Sequence, residues 1–255
     1  MNKPIIAITR PELRAQAACD LVEEFGGKPY LAPTLSLEPV NTDSLKYLMA
    51  NLNKLDWIIF TSPTTIEAIK QFYPDKLKNI TCKVAVIGRK TGEVAEKNSI
   101  KVDLIPDNYT AEGLVEEFKA QNIQNKVIGV PRTASARTTL PEGLKELDNE
   151  VILAEAYKSL TPKDKDTIKE LIAKILNNEI DAITFTSPLT VENLFKIAEN
   201  KNQLAKKLSE DILTVSIGPI TGNKLNEYSV QNIYPETYTV KDMLTLLFQK
   251  LEGLK

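Results

Sequence analysis

The sequence of 255 residues contains 32 Lys and Arg residues against 34 Asp and Glu residues, and it has no histidine. Its length allows one large or two modest domains, while the formal charge of −2 argues against a nucleic-acid-binding or basic membrane-surface protein. Because histidine is absent, Ser-His and Cys-His nucleophiles, the common zinc sites and imidazole acid–base catalysis are excluded.

The sequence predicts neither membrane insertion nor export. No apolar run approaches the length that spans a bilayer, and no secretory signal precedes the first predicted strand. The two cysteines, Cys19 and Cys82, have no motif spacing and are typical of small hydrophobic residues in a reducing compartment. We therefore expect a cytoplasmic protein with no membrane partner and no nucleic-acid partner.

Predicted strands and helices alternate from the start of the chain. In the first half, strands are expected at residues 5–9, around Trp57, and at residues 84–88, 102–106 and 126–130. Helices are expected at residues 11–25 and 42–51, from Pro63, at residues 90–98 and 110–121, and after a Pro131-Arg132 turn to about residue 147. Residues 28–39 contain three prolines, so this segment is predicted to be an edge strand or a connector.

The second half begins with an extended segment, residues 151–162, and then repeats the pattern. Strands are expected around Ile183 and at residues 213–218 and 230–234. Helices are expected before Ile183, from Pro188, from about Ile220 and after a capping Thr239. This alternation predicts an α/β fold whose parallel sheets are covered by helices on both faces.

One strand-to-helix junction, with the sequence Phe-Thr-Ser-Pro, occurs at residues 60–63 and again at residues 185–188. In each copy a serine, Ser62 or Ser187, is placed to cap a helix that has a proline in its first turn. The unpaired N–H groups and the positive dipole end of such a helix favour an anion. A single junction of this kind is common in α/β proteins, but two matched copies indicate a duplicated feature.

The repeat extends over nearly the whole chain. Residues 84–92 match residues 214–222, residues 106–110 match residues 235–239, and residues 36–39 match residues 159–162. We infer two similar α/β domains from this internal duplication. The expected ligand site is an interdomain cleft lined by the carboxyl ends of the strands.

Side chains that bind anions are concentrated after the predicted strands. All five arginines of the chain lie at or near strand ends: Arg10, Arg14, Arg89, Arg132 and Arg137. Because arginine holds carboxylates in a planar fork that lysine lacks, this placement favours a polyanionic ligand over solvated surface positions. The same edges are expected to carry several hydroxyls, some of them only as helix caps: Thr9, Thr61, Ser62, Thr91, Ser187 and Thr221. No glycine-rich nucleotide-binding motif is present.

These motifs, taken in order, resemble the uroporphyrinogen-III synthase family over essentially the full length. The resemblance rests on these segments: Thr9-Arg10-Pro11, the two Phe-Thr-Ser-Pro junctions, Ile87-Gly88 with Thr91, the extended Tyr157 segment, and Ile217-Gly218-Pro219 with Thr221. It implies two α/β domains joined by a two-stranded connector. Residues 1–37 and 161–255 would form the first domain, and residues 38–160 the second.

The resemblance also implies a substrate and a reaction in tetrapyrrole, porphyrin and haem biosynthesis. Hydroxymethylbilane, a linear tetrapyrrole with an acetate and a propionate on each ring, would be cyclised with loss of water and inversion of the last pyrrole. This would be a hydro-lyase that needs no cofactor and no metal. We expect a monomer, which could receive its substrate from hydroxymethylbilane synthase. The expected substrate-binding residues are Thr9, Arg10, Thr61, Ser62, Gly88, Thr91, Arg132, Arg137, Ser187, Gly218 and Thr221. The resemblance implies that backbone amides make many of the contacts.

Tyr157 is the expected catalytic residue. It falls opposite Thr34 in the repeat, and the family has a functionally important tyrosine at the matching place. A phenol can donate a proton or a hydrogen bond to the departing hydroxyl; the alternative is an amphipathic strand residue at a domain edge. The tyrosines Tyr109 and Tyr238 occupy symmetric positions and are interpreted as core or loop anchors.

The competing interpretation of the whole chain is a two-lobed cytoplasmic module that binds a small polyanionic ligand. The sequence contains no helix-turn-helix and no basic stripe that would support a transcriptional regulator. Turnover of a bilane would separate an enzyme from a binding module.

Overall fold

The computed structural model describes residues 3–253, except for the side chain of Leu13. Met1, Asn2, Leu254 and Lys255, which the predicted first domain includes, lie outside the described residues. The chain divides into two compact units. The first unit contains the residues up to Ser36 and those from Leu160 onward, and the second contains Leu37–Ser159.

The strands, in chain order, are β1 Ile5–Ile8, β2 Lys28–Leu31, β3 Ser36–Pro39, β4 Trp57–Phe60, β5 Lys83–Val86, β6 Val127–Arg132, β7 Glu150–Glu155, β8 Tyr157–Leu160, β9 Ala182–Phe185 and β10 Leu213–Ser216. The helices are α1 Gln16–Glu24, α2 Asp43–Ala50, α3 Pro63–Phe72, α4 Pro74–Lys78, α5 Arg89–Lys97, α6 Ala111–Ala120, α7 Thr139–Lys145, α8 Asp166–Leu176, α9 Pro188–Ile197, α10 Lys201–Glu210, α11 Pro219–Glu227 and α12 Val240–Gly253. Short 3₁₀ helices form at Glu12–Arg14 and Leu52–Lys54. Within residues 3–253, none of these helices combines the length and apolar character needed to cross a membrane.

The first unit is built on a parallel four-stranded sheet in the order β10-β9-β1-β2. Successive residues of β1 point to opposite faces. Ile6 and Ile8 pack with buried residues of α1 and α12, whereas Ala7 packs with residues of α8, α9 and α10. Helices therefore cover both faces of the sheet, as expected for a parallel arrangement.

The second unit has a parallel sheet in the order β5-β4-β6-β7. All four residues of β4 are buried, which is typical of a strand covered on both faces. Ile58 and Phe60 pack with residues of α2 and α3, while Trp57 and Ile59 pack with residues of α6 and α7. The predicted α/β class with parallel sheets is confirmed.

The Pro-bearing extended segments take the two roles that the sequence left open. β2 is an edge strand of the first sheet, and β3 pairs with β8 in a separate two-stranded sheet. The limits of the two units fall within β3 and β8. A two-stranded connector is therefore present, as the family resemblance implies.

Three predicted elements differ from the structure. The strands expected at residues 102–106 and 230–234 are wrong, because each segment makes only an isolated bridge, Ala85 with Leu104 and Val215 with Ile233. Pro106 and Pro235, two residues after the bridging Leu104 and Ile233, have no N–H with which to extend a strand ladder. The predicted Pro131-Arg132 turn is instead the end of β6. The carbonyl of Arg132 accepts from the N–H of Ala156, just after β7, so the backbone groups of Arg132 point toward β7. Those of the preceding Pro131 point to the opposite side, toward β4, where the pairing of β6 with β4 has already ended at Gly129.

Candidate functional site

The carboxyl edge of each sheet carries the predicted binding residues. In the second unit, Thr61 and Ser62 link β4 to α3, Gly88 links β5 to α5, and Arg132 ends β6. In the first unit, the residues at the matching edge are Thr9 and Arg10 after β1, Ser187 before α9 and Gly218 before α11. Carboxyl ends of parallel strands share one edge of a sheet, so these residues are grouped within each unit.

Tyr157, the predicted catalytic residue, is the first residue of β8 and is only 6% exposed. Its ring packs in the hydrophobic cluster between the sheet of the second unit and α2 and α3. Its Oη lies 3.5 Å from Oγ of Ser62, at the outer limit of a hydrogen bond. Ser62 Oγ also lies 3.2 Å from Oγ1 of Thr65. The phenol is therefore brought to the first turn of α3, at the junction that the sequence repeats.

Arg132 is 7% exposed and is fixed by its own loop. One guanidinium nitrogen, Nη2, donates to the carbonyl of Arg137 at 2.7 Å, and Nε donates to the carbonyl of Thr133 at 3.3 Å. Burial lowers the pKa of Arg132 from its ordinary value, and electrostatic interaction with Tyr157 opposes this shift. Arg132 thus supplies a buried positive charge near the Tyr157 phenol.

The side chain of Arg137 does not join this cluster. It is 66% exposed, and Nη1 lies 3.4 Å from Oε1 of Glu112 near the start of α6. An exposed ion pair of this kind contributes little to stability and leaves the guanidinium accessible to solvent. Arg137 contacts Arg132 through its backbone carbonyl, which accepts a hydrogen bond from the Arg132 guanidinium.

Arg10 in the first unit is the arginine whose surroundings best suit an anion. Its Nε is buried and has no hydrogen-bond partner among the described residues. Burial, and secondarily the charge of Arg14, lower the pKa of the Arg10 guanidinium from its ordinary value. An unpaired buried donor is costly, and a carboxylate would supply the missing acceptor.

Several predicted hydroxyls are already engaged in holding the fold. Thr9 is fully buried, and its Oγ1 donates to the carbonyl of Thr184 at 2.7 Å. Ser187 Oγ accepts from the N–H of Thr190 at 3.4 Å and so caps α9. Thr91 and Thr221 are buried within the first turns of α5 and α11. The hydroxyls of Thr9 and Ser187 therefore already have partners within the fold.

Two aromatic side chains lie where the sequence pattern did not predict them. Tyr109 and Tyr238 were expected as core or loop anchors, but the core assignment is wrong because they are 51% and 58% exposed. The base of the Tyr109 side chain lies beside Gly88, and the ring of Tyr238 lies against Gly218, at the carboxyl edges of the sheets. Their matched positions in the repeat, each directly before a helix-capping threonine, were the available signal. No cluster of three or more Cys, Asp and Glu residues suited to a metal ion is found within residues 3–253.

Comparisons with known sequences agree on one family. Residues 16–245 match the model of the family described as uroporphyrinogen-III synthase HemD. A protein of Methanothermobacter thermautotrophicus, which has a provisional uroporphyrinogen-III synthase name, is 42% identical over 245 residues, or 95% of this chain and 96% of that protein. A uroporphyrinogen-III synthase of Chlorobaculum parvum is 26% identical over 241 residues, or 91% of this chain and 93% of that protein.

Solved structures with a similar fold include proteins named as uroporphyrinogen III synthases. The uroporphyrinogen-III synthetase of Helicobacter pylori has a TM-score of 0.69 at 15% identity and is matched over 98% of this chain and 100% of its own. A mutant uroporphyrinogen III synthase of Thermus thermophilus has a TM-score of 0.61 at 19% identity, over 98% and 99% of the two chains. At these identities the likeness establishes a shared fold.

Proposed function

The chain belongs to the uroporphyrinogen-III synthase family, and we propose that the hydroxyl of Tyr157 is its catalytic proton donor. The comparisons indicate uroporphyrinogen-III synthase in preference to a polyanion-binding module, so the chain is an enzyme of tetrapyrrole synthesis. The observation that supports the role of Tyr157 is its position: a buried phenol 3.5 Å from Ser62 Oγ at the carboxyl edge of the second sheet.

The proposed reaction begins with proton transfer from Tyr157 Oη to the terminal hydroxyl of hydroxymethylbilane. The carbon–oxygen bond breaks, its electron pair leaves with the oxygen as water, and the electron-rich pyrrole stabilises the carbon that remains. Closure of the macrocycle then inverts the last pyrrole and releases a proton, which restores the phenol. The sum of these steps is cyclisation with loss of one water.

Arg132 and Ser62 support this step in different ways. The buried guanidinium of Arg132 is proposed to stabilise the negative charge that develops on the Tyr157 oxygen as the proton leaves. Ser62 Oγ is close enough to orient the phenol, and hydrogen bonds of this kind often shorten when the substrate binds. Neither group needs to transfer a proton itself.

Substrate binding is assigned to the carboxyl edges. Arg10, with its unpaired Nε, is proposed to bind an acetate or propionate of the bilane. The positive dipole ends of α3, α5 and α9 are proposed to attract further carboxylates. Because the bilane also cyclises without an enzyme, this binding must hold its two ends in a geometry that spontaneous closure does not favour.

The isomer of the product tests the proposed function. We expect freshly prepared hydroxymethylbilane, incubated with the protein and then oxidised, to give mainly uroporphyrin III. A no-enzyme control reports the spontaneous reaction, which gives isomer I. Formation of isomer I alone, at the rate of the control, would reject the proposed function.

We further propose a cytoplasmic, monomeric hydro-lyase that uses no metal or organic cofactor and can receive its bilane from hydroxymethylbilane synthase. The free cysteines Cys19 and Cys82 support a reducing compartment. Dialysis against a chelator is expected to leave kcat and KM unchanged. Loss of activity that returns when a divalent cation is added would contradict cofactor independence.

A further inference from the structure

Two exposed tyrosines occupy matched positions at the carboxyl edges, one in each unit. Tyr109 lies between the Leu104 bridge and α6, and Tyr238 lies between the Ile233 bridge and α12. Both tyrosines are more than half exposed. The proposed proton transfer does not use either residue.

Backbone hydrogen bonds hold both tyrosines in defined positions. The N–H of Thr110 donates to the carbonyl of Asn108 at 2.7 Å, so Tyr109 is the central residue of a three-residue turn. Thr239 and Thr237 form the same turn around Tyr238, with a distance of 2.8 Å. The exposed rings are therefore attached to an ordered backbone, which limits the entropy lost when a ligand packs against them.

Each helix that follows Thr110 or Thr239 strengthens this anchoring. Thr110 Oγ1 accepts from the N–H of Gly113 at 2.9 Å, and Thr239 Oγ1 accepts from the N–H of Asp242 at 3.1 Å. These are helix caps of the usual side-chain-to-backbone type. The tyrosine is thus held between its turn and a capped helix.

Glycines at the neighbouring strand-to-helix junctions support the rings from one side. A Cβ atom added at Gly218 would lie 3.1 Å from the ring of Tyr238, closer than an ordinary van der Waals contact. A Cβ atom added at Gly88 would lie 3.6 Å from Cβ and 3.7 Å from Cγ of Tyr109. Gly218 therefore lies against the ring of Tyr238, and Gly88 lies beside the base of the Tyr109 side chain, while more than half of each tyrosine stays open to solvent.

The residues that follow the two glycines differ in charge. Gly88 is followed by the exposed cations Arg89 and Lys90, whereas Gly218 is followed by Pro219 and the exposed Ile220. The edge that carries Tyr109 therefore offers two cations to a pyrrole that bears carboxylates, and the edge that carries Tyr238 offers an aliphatic side chain to a less charged part of a ligand. A carboxylated pyrrole chain offers both.

We propose that Tyr109 and Tyr238 are substrate-positioning residues, and that each packs its ring against a pyrrole ring of the bilane. This inference rests on the proposed function, because it takes the bilane as the ligand of the carboxyl edges. Offset stacking or an edge-to-face contact with the electron-rich pyrrole fixes the ring plane. Both tyrosines lie next to Gly88 and Gly218, at the edges assigned to substrate binding, so the bilane is the ligand that their rings would contact.

The test compares Tyr109→Leu and Tyr238→Leu with Tyr109→Phe, Tyr238→Phe and the control Tyr47→Leu. Tyr47 is 59% exposed on α2, outside the strand-to-helix junctions of the sheets. We expect each Leu variant to raise KM for hydroxymethylbilane about 5- to 10-fold with a small change in kcat, as for loss of one aromatic contact. Each Phe variant keeps the ring and should keep KM within about 2-fold of the wild-type value.

Circular dichroism melting of every variant separates a folding defect from a binding defect, and exposed positions should leave Tm almost unchanged. If Tyr109→Leu and Tyr238→Leu match Tyr47→Leu in KM, the inference is overturned. It is also overturned if the Phe variants lose as much as the Leu variants, because the hydroxyl and not the ring would then be the binding group. Failure of the wild-type protein to form isomer III would instead reject the proposed function.

Discussion

The two Thr-Ser-Pro junctions have the same sequence but use their serines differently. In the first unit, Ser187 Oγ accepts from the N–H of Thr190 and caps α9. In the second unit, Ser62 makes no side-chain cap to the backbone of α3, and its Oγ faces Thr65 and Tyr157. One serine stabilises a helix end, while the other is available to a buried phenol.

Thr34 in the first unit and Tyr157 in the second, which match each other in the repeat, also make different contacts. Thr34, which matches Tyr157 in the repeat, is fully buried and donates to the carbonyl of Thr190 at 2.8 Å. Its own carbonyl accepts from Nδ2 of Asn193 at 2.7 Å. In the first unit this position links the chain to α9, whereas in the second unit a phenol occupies it. Matched residues therefore need not have matched roles, and the chemistry is assigned to the second unit.

The largest effect is expected from Tyr157→Phe, which keeps the ring and its packing but removes the proton. Because the donor acts mainly in the transition state, kcat should fall about 10- to 100-fold while KM changes little. Steady-state kinetics with hydroxymethylbilane measure both constants. Full activity of Tyr157→Phe would leave the enzyme as a template, with the proton supplied by water or by the substrate.

Thr34→Val is the matched control at the equivalent position of the first unit. It removes the hydrogen bond to Thr190 and should lower the free energy of unfolding by about 1 kcal/mol. Its kcat should stay near the wild-type value. A loss of kcat comparable to that of Tyr157→Phe would show that structural damage, rather than loss of the phenol, explains both variants.

Substitutions of Arg10 and Arg132 should separate substrate binding from loop structure. Arg10→Ala removes a guanidinium whose Nε has no partner among the described residues, so we expect KM to rise about 10-fold with little loss of stability. Arg132→Ala removes the bonds to Thr133 and Arg137, so its unfolding free energy should fall by about 1–3 kcal/mol, and kcat should fall as well. Kinetics and chemical denaturation measure the two effects. An Arg10→Ala protein with normal KM but reduced stability would reverse the assignment.

The serine pair should show the smallest effects. Ser187→Ala removes a helix cap and should cost about 1 kcal/mol of stability, with a larger effect on Tm than on kcat. Ser62→Ala removes no backbone cap and should lower kcat about 3-fold while Tm changes little, as expected for one long hydrogen bond. Equal responses of the two variants in both measurements would mean that the junctions have not diverged.

Features fixed by local sequence could be predicted well. The Ser-Pro starts of α3 and α9 depend on adjacent residues, as do the buried strands β4 and β9 that precede them. The α/β class follows from their alternation with helices. The serines that begin the helices were identified correctly, but their different uses were not.

Contacts between distant residues could not be read from these patterns. Ser62 and Tyr157 are 95 residues apart, and Thr9 is satisfied by Thr184 across 175 residues. The turn of the loop after Arg132, which brings the carbonyl of Arg137 to its guanidinium, depends on backbone conformation rather than on residue type. Partners of this kind decide whether a hydroxyl or guanidinium is available to a ligand.

The proposed role of Tyr157 as the proton donor, with Ser62 orienting its hydroxyl, is tested most directly by a double-mutant cycle. Single-turnover rates should be measured for the wild type, Ser62→Ala, Tyr157→Phe and the double variant, with enzyme in excess over hydroxymethylbilane. We predict that Ser62→Ala lowers the rate about 3-fold in the wild-type background and has no further effect when Phe replaces Tyr157. Losses that multiply in the double variant would contradict the account, because Ser62 would then contribute independently of the phenol.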